Sequence, residues 1–90
     1  MIIVSQDKRN VLNFDFTQRI GLDRETNFSS IMAYQNAKAE CMWLGSYKTE
    51  ERAKEVLQEI ITSYRDYRTA ECDGYTNVLQ ETAVFEMPIN

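Results

Sequence analysis

The stretch from residue 49 to 68 constrains this chain more than any other. Ala53, Val56, Leu57, Ile60, Ile61 and Tyr64 recur at spacings of three, one, three, one and three residues. That pattern is one apolar stripe of a helix with 3.6 residues per turn. Thr49 stands where an N-cap belongs, with Glu50 and Glu51 in the first turn, where the helix dipole favours acids. Arg65 and Arg68 stand in the expected last turn, where it favours bases. The surface charges do little for this helix on their own. Glu50–Lys54 supports it by about 0.2–0.5 kcal/mol, and the like pairs Glu51–Glu55 and Glu55–Glu59 oppose it by about as much. Its stability must come from docking the stripe on another layer.

The rest of the sequence supplies a sheet for that layer. "MIIVSQ" is a short β-branched run and "DKRN" a turn by composition. In "VLNFDFTQRIGL", Leu12, Phe14, Phe16, Ile20 and Leu22 share one parity, which predicts a half-buried strand or two strands in series. "DRETN" breaks it, and "FSSIMAYQ" follows with apolar residues on both parities. After the break "NAKA", the strand "ECMWLGSY" turns Cys41 and Trp43 one way and Met42 and Leu44 the other. "CDGYTN" reads as a loop, and "ETAVFEMP" as a weak last strand ended by Pro88. The expected fold class is α+β: an antiparallel β-meander of three or four strands, one long amphipathic helix packed on it, and a short C-terminal strand or tail. Residues 1–90 form one domain, with the meander at 1–48, the helix at 49–68 and a C-terminal segment at 69–90.

A single domain of 90 residues buries roughly 60% of its unfolded surface, so a monomer is only marginally stable. One helix covers one face of such a sheet. Phe28, Tyr34, Trp43 and Tyr47 are much aromatic surface for the remainder, so either the tail or a second subunit is expected to cover the other face. A homo-oligomer is the expected state. Charge is uneven: residues 1–24 carry +1, 25–48 are neutral and 49–90 carry −5. No basic stripe exists for duplex DNA. No apolar run approaches the roughly 20 residues of a membrane helix, and the opening "MIIV" is too short for a signal. Cys41 and Cys72, alone and without histidine, read as reduced thiols in a cytoplasm.

The sequence holds little catalytic chemistry. It lacks histidine, the commonest general base and metal ligand. Its cysteines lack metal-ligand spacing, and Gly21, Gly45 and Gly74 are isolated rather than gathered in a phosphate loop. The glutamates of the helix are explained as a solvated face. No enzyme activity, cofactor or metal is expected. Binding chemistry is more open. Lys8 and Arg9 sit at a hairpin tip, and Arg65 and Arg68 stand among Tyr64 and Tyr67, where guanidinium groups beside aromatics can grip phosphates and bases. Trp43 and Tyr47 are candidate stacking platforms, although core packing also explains Trp43. The junction Gly45–Thr49 presents backbone N–H groups at a helix start. An acidic row of Glu51, Glu55, Glu59 and Asp66 offers a separate contact for a basic protein partner.

The opening "MIIVSQDK", the "NFD" at 13–15, the block "LGSYKTEERAKEVLQEI" and the closing "FEMP" at 85–88 resemble small accessory proteins of phages and prophages of Gram-positive bacteria. The similarity covers about half the chain and leaves out residues 17 to 40. It implies a context in the infected bacterial cytoplasm and transfers no functional residue. Within that context the first expectation is a non-catalytic counter-defence protein. It would sequester a nucleotide-derived immune signal in an oligomeric site using Lys8, Arg9, Trp43, Tyr47, Arg65 and Arg68. One alternative is an inhibitor docking its acidic helix face on a host defence protein. Another is a structural or regulatory phage component with no defence role.

Overall fold

The computed structural model describes residues 1–35, 41–73 and 84–90, with helix side chains described as far as Arg68. The chain runs β1 (Ile2–Val4), β2 (Val11–Asn13), a 3-10 turn (Phe14–Phe16), β3 (Arg19–Arg24), β4 (Ser29–Tyr34), β5 (Cys41–Tyr47), α1 (Glu50–Asp73) and β6 (Val84–Glu86). Among the described residues these strands form two three-stranded sheets, in the orders β2-β1-β6 and β3-β4-β5. The second is the expected antiparallel meander, carrying the long helix, which packs on β3, β4 and β5. In the first, β1 pairs antiparallel with β2 and parallel with β6. The fold is therefore α+β with a short C-terminal strand, and the N-terminal hairpin forms its own sheet instead of extending the meander.

The residues between β2 and β3 explain that separation. Asn13 Oδ1 accepts from the Asp15 N–H at 3.0 Å, and the Thr17 N–H returns to the Phe14 carbonyl at 3.1 Å. An asparagine bonding the backbone two residues on competes with strand pairing. The shared parity across 12–22 thus belongs to two strands with a turn between them, and Phe16, expected on the buried face, is 75% exposed.

β5 hides a second departure. Its register with β4 shifts between Ile31 and Met32, which pair with Gly45 and Trp43. Leu44 is the extra residue of this β-bulge, and such an insertion switches which parity faces inward. Met42 and Leu44 face the core before it, while Gly45 and Tyr47 do so after it. Trp43 stays on the other face, where its indole N–H donates to Ser46 Oγ at 2.8 Å and Ser46 Oγ meets Ser30 Oγ at 2.9 Å.

The helix begins as its sequence requires: Thr49 Oγ1 caps the Arg52 N–H at 3.1 Å. It runs beyond residue 68 to Asp73, since Thr69–Asp73 contains neither glycine nor proline. Arg65 and Arg68 consequently lie short of the last turn, and the described helix has no basic residue there. Ala53, Val56 and Ile60 join Ile31, Ala33, Leu44, Ile3, Leu12 and Met87 in one buried cluster, so both sheets share a core. Tyr64 continues the stripe as expected, its ring 4.6 Å from Phe14 between centroids. Ile61 lies at the margin of the stripe and is 49% exposed. The predicted loop at 72–77, the break at 36–39 and the side chain of Cys72 lie outside the described residues.

The stripe yields a direct comparison by urea denaturation. Ile60→Ala removes a side chain only 2% exposed and is expected to cost about 2–5 kcal/mol. Ile61→Ala, one residue on, is expected to stay within about 1 kcal/mol.

Candidate functional site

The hairpin tip is built by its own side chains. Asp7 Oδ1 accepts from Ser5 Oγ at 2.7 Å and from the Arg9 N–H at 3.0 Å. The Ser5 hydroxyl, and after it the Arg9 N–H, hold the Asp7 carboxyl below its ordinary value. Lys8 takes a positive φ of 64° to close the turn, and its Nζ lies 3.6 Å from Glu86 of β6. Both groups are exposed, so that ion pair contributes little to stability. Lys8 and Arg9 are therefore where the sequence places them, at an exposed tip with a structural turn beneath.

The other candidate ligand residues lie elsewhere. Trp43 is half-buried on the meander face away from the core, with its indole N–H engaged by Ser46. Arg65 and Arg68 are exposed on α1. Tyr47 belongs to the core cluster at 3% exposure, so its ring is not a free stacking platform. Its hydroxyl donates to the Pro88 carbonyl at 2.7 Å. Burial pushes its phenol up to about 12, and the nearby Arg52 charge only partly offsets this. Of the six candidate ligand residues, Tyr47 lines a cleft wall.

That cleft, of about 610 Å³, opens where β5 becomes α1 and the C-terminal residues pass over it. Ser46, Tyr47, Lys48 and Thr49 form one side; Arg52, Ile89 and Asn90 form the other. Arg52 is a cation of this cleft that no pattern in the sequence marks. Its Nε donates to the Asn90 carbonyl at 3.0 Å, its guanidinium carbon lies 6.0 Å from the Tyr47 ring centroid, and its Nη1 reaches Glu59 at 3.2 Å. Its position on the helix, one residue before the stripe begins, gave no sign that the tail would return beside it.

The acidic row stands where the sequence places it. Glu51, Glu55, Glu59 and Asp66 are all exposed on one side of α1. Arg52 Nη1 also lies 3.9 Å from Glu55, so one guanidinium relieves the repulsion between Glu55 and Glu59. Beside them a shallow groove of about 390 Å³ runs between the helix and β6. Glu55, Gln58, Glu59, Thr62 and Ser63 form its rim, and half-buried Phe85 is its apolar floor. In the sequence Phe85 is only part of a weak strand; parallel pairing of β6 on β1 places it there.

No group of three or more metal-ligating side chains occurs among the described residues. Cys41 is an exposed free thiol. No helix among the described residues is long and apolar enough to cross a membrane.

The buried phenol has a pH signature. Its folded value of about 12 lies above the unfolded value of 10.0, so the folded state holds the proton more tightly. The stability this supplies is complete below pH 10 and is lost as pH rises towards 12. Tyrosinate absorbance is expected to show one tyrosine ionising near 12, and Tyr47→Phe should remove that step. Comparison with protein-family models, with curated proteins and with solved structures finds no significant match for this chain.

Proposed function

We propose that this chain is a non-catalytic binding protein that docks its acidic helix face on a basic partner protein. In the phage context its sequence resembles, the partner would be a host defence protein that the contact inhibits. The observation that carries this reading is the exposed row Glu51, Glu55, Glu59 and Asp66 alongside a groove floored by Phe85. Carboxylates flanking an apolar slot suit a segment that presents lysine or arginine around one apolar anchor. Charge of that kind speeds encounter and rejects acidic competitors, while the desolvated apolar anchor holds the complex.

The sequestration reading is second, because the six residues expected to grip a nucleotide signal are spread over a hairpin tip, a sheet face, the core and the outer helix. One observation favours it. The cleft of about 610 Å³ has the volume of a small-molecule site and carries Lys48 and Arg52. Glu50 and Glu51 in the first helical turn, and the glutamates already engaging Arg52, disfavour a multiply charged anion there.

Charge reversal separates the two. In pull-down from a host lysate, Glu55→Lys with Glu59→Lys is expected to abolish capture of the partner that the wild type retains. Lys8→Glu with Arg9→Glu should leave it unchanged. Capture that survives the helix reversal rules out the acidic-face reading. A thermal shift with cyclic oligonucleotides or ADP-ribose-type signals, at ligand far above micromolar, would instead favour sequestration.

A further inference from the structure

Among the described strands, the meander ends at β3 on an unpaired edge. β3 is the outermost strand of the order β3-β4-β5, and no described strand pairs with its far side. The Glu25 N–H donates to the Phe28 carbonyl at 2.9 Å, which closes the β3–β4 turn and sets the phase of the ladder. Counting back in steps of two, Asp23, Gly21 and Arg19 turn their backbone groups towards β4, opposite Ser30, Met32 and Tyr34. Leu22 and Ile20 therefore turn their N–H and C=O groups outward.

Two copies related by a two-fold axis pair such strands antiparallel. Outward groups must meet outward groups, which excludes the register that would set Arg19 against Arg24. Centring the axis on Gly21 satisfies the backbone and the side chains together. Ile20 then faces Leu22 of the second copy in a hydrogen-bonded pair, and both side chains, half-buried against the core in one chain, continue the apolar layer across the junction. Arg19 faces Asp23 of the second copy, twice by symmetry, in pairs whose Cα atoms approach to about 4.5 Å. A register shifted to centre on Leu22 would instead oppose Ile20 to Arg24.

The side chains on this edge are already placed for that contact. The Arg19 guanidinium carbon lies 4.1 Å from the Tyr34 ring centroid, which fixes its stem on the face that also carries Asp23. Its Nη1 is 3.4 Å from where a Cβ of Gly21 would stand, so the arginine lies over the glycine at the centre of the register. We infer that this protein forms a two-fold dimer by β3–β3 pairing centred on Gly21, joining the two meanders into one continuous sheet. The inference does not rest on the acidic-face reading, since β3 and the Glu51–Asp66 row lie on different elements.

The test is sedimentation equilibrium of the full chain, up to roughly 500 µM, together with charge-reversal variants whose folding is checked by circular dichroism. The wild type is expected as a dimer of 10.5 kDa chains. Asp23→Arg alone and Arg19→Asp alone should each weaken dimerisation roughly tenfold or more, and the double swap should restore it to within a few-fold of wild type. Restoration excludes misfolding as the cause of the single-variant losses. A monomer across the whole range, a dimer indifferent to Asp23→Arg, or a swap that fails to rescue would each overturn the inference. Glu55→Lys with Glu59→Lys should leave the dimer intact, so failure of the acidic-face reading would be seen separately.

Discussion

The side-chain amide of Gln6 holds together three segments that are far apart in the chain. Its Nε2 donates to the carbonyls of Ser46, Pro88 and Ile89 at 3.1, 3.1 and 2.8 Å, and its Oε1 accepts from the Ser46 N–H at 3.0 Å. Two amide protons serve three acceptors, so one of these bonds is shared. The Gln6 backbone N–H adds a bond to the Leu44 carbonyl at 2.7 Å. The hairpin sheet is thereby fastened to the edge of β5, and the tail is fastened to both. Each such bond is worth only about 1 kcal/mol net, but leaving a buried backbone group without a partner costs about 1–3 kcal/mol. The cleft between β5, α1 and the tail exists because this clamp and the Tyr47–Pro88 bond bring Ile89 and Asn90 over the start of the helix.

The bulge at Leu44 and the clamp depend on one another. Gly45 follows the bulge where the backbone passes close beneath Gln6 and Tyr47. A Cβ there would stand 3.1 Å from the Tyr47 hydroxyl and 3.3 Å from Gln6 Cβ. Glycine lets the strand cross under the clamp, and the bulge turns Tyr47 inward so that its hydroxyl reaches the tail. The segment "LGSY" therefore joins the two sheets, the tail and the helix start.

What the sequence revealed follows from how local each interaction is. The helix was legible because its stripe, its N-cap Thr49 and its acidic first turn are all encoded within a few residues of one another. The meander strands were legible from apolar runs between polar breaks. The bulge was not, since Cys41–Tyr47 alternates plausibly until the register with β4 is known. Gln6 gave no signal at all: an isolated glutamine after a strand is unremarkable until residues more than eighty positions away return to it. Arg52 and Phe85 carry no local signal either, because their roles arise from contacts with the returning tail and with parallel β6. Tyr47 has the sequence setting of a surface aromatic, because the switch of parity at Leu44 is set only by the register with β4. The acidic row was legible because exposure of one helix face follows from burial of the other.

Native-state hydrogen exchange in Gln6→Met tests whether this clamp holds the tail. The Ser46 N–H loses its acceptor in that variant, while the Met87 N–H keeps the Val4 carbonyl that it meets at 3.0 Å. If the carboxamide fastens the tail, protection should fall at Ser46 and at Met87 together, while amides of the helix interior around Val56 and Ile60 retain theirs. Unchanged protection at Met87 would contradict that role for Gln6, because it would show the tail anchored by β6 pairing and the Tyr47 hydroxyl alone.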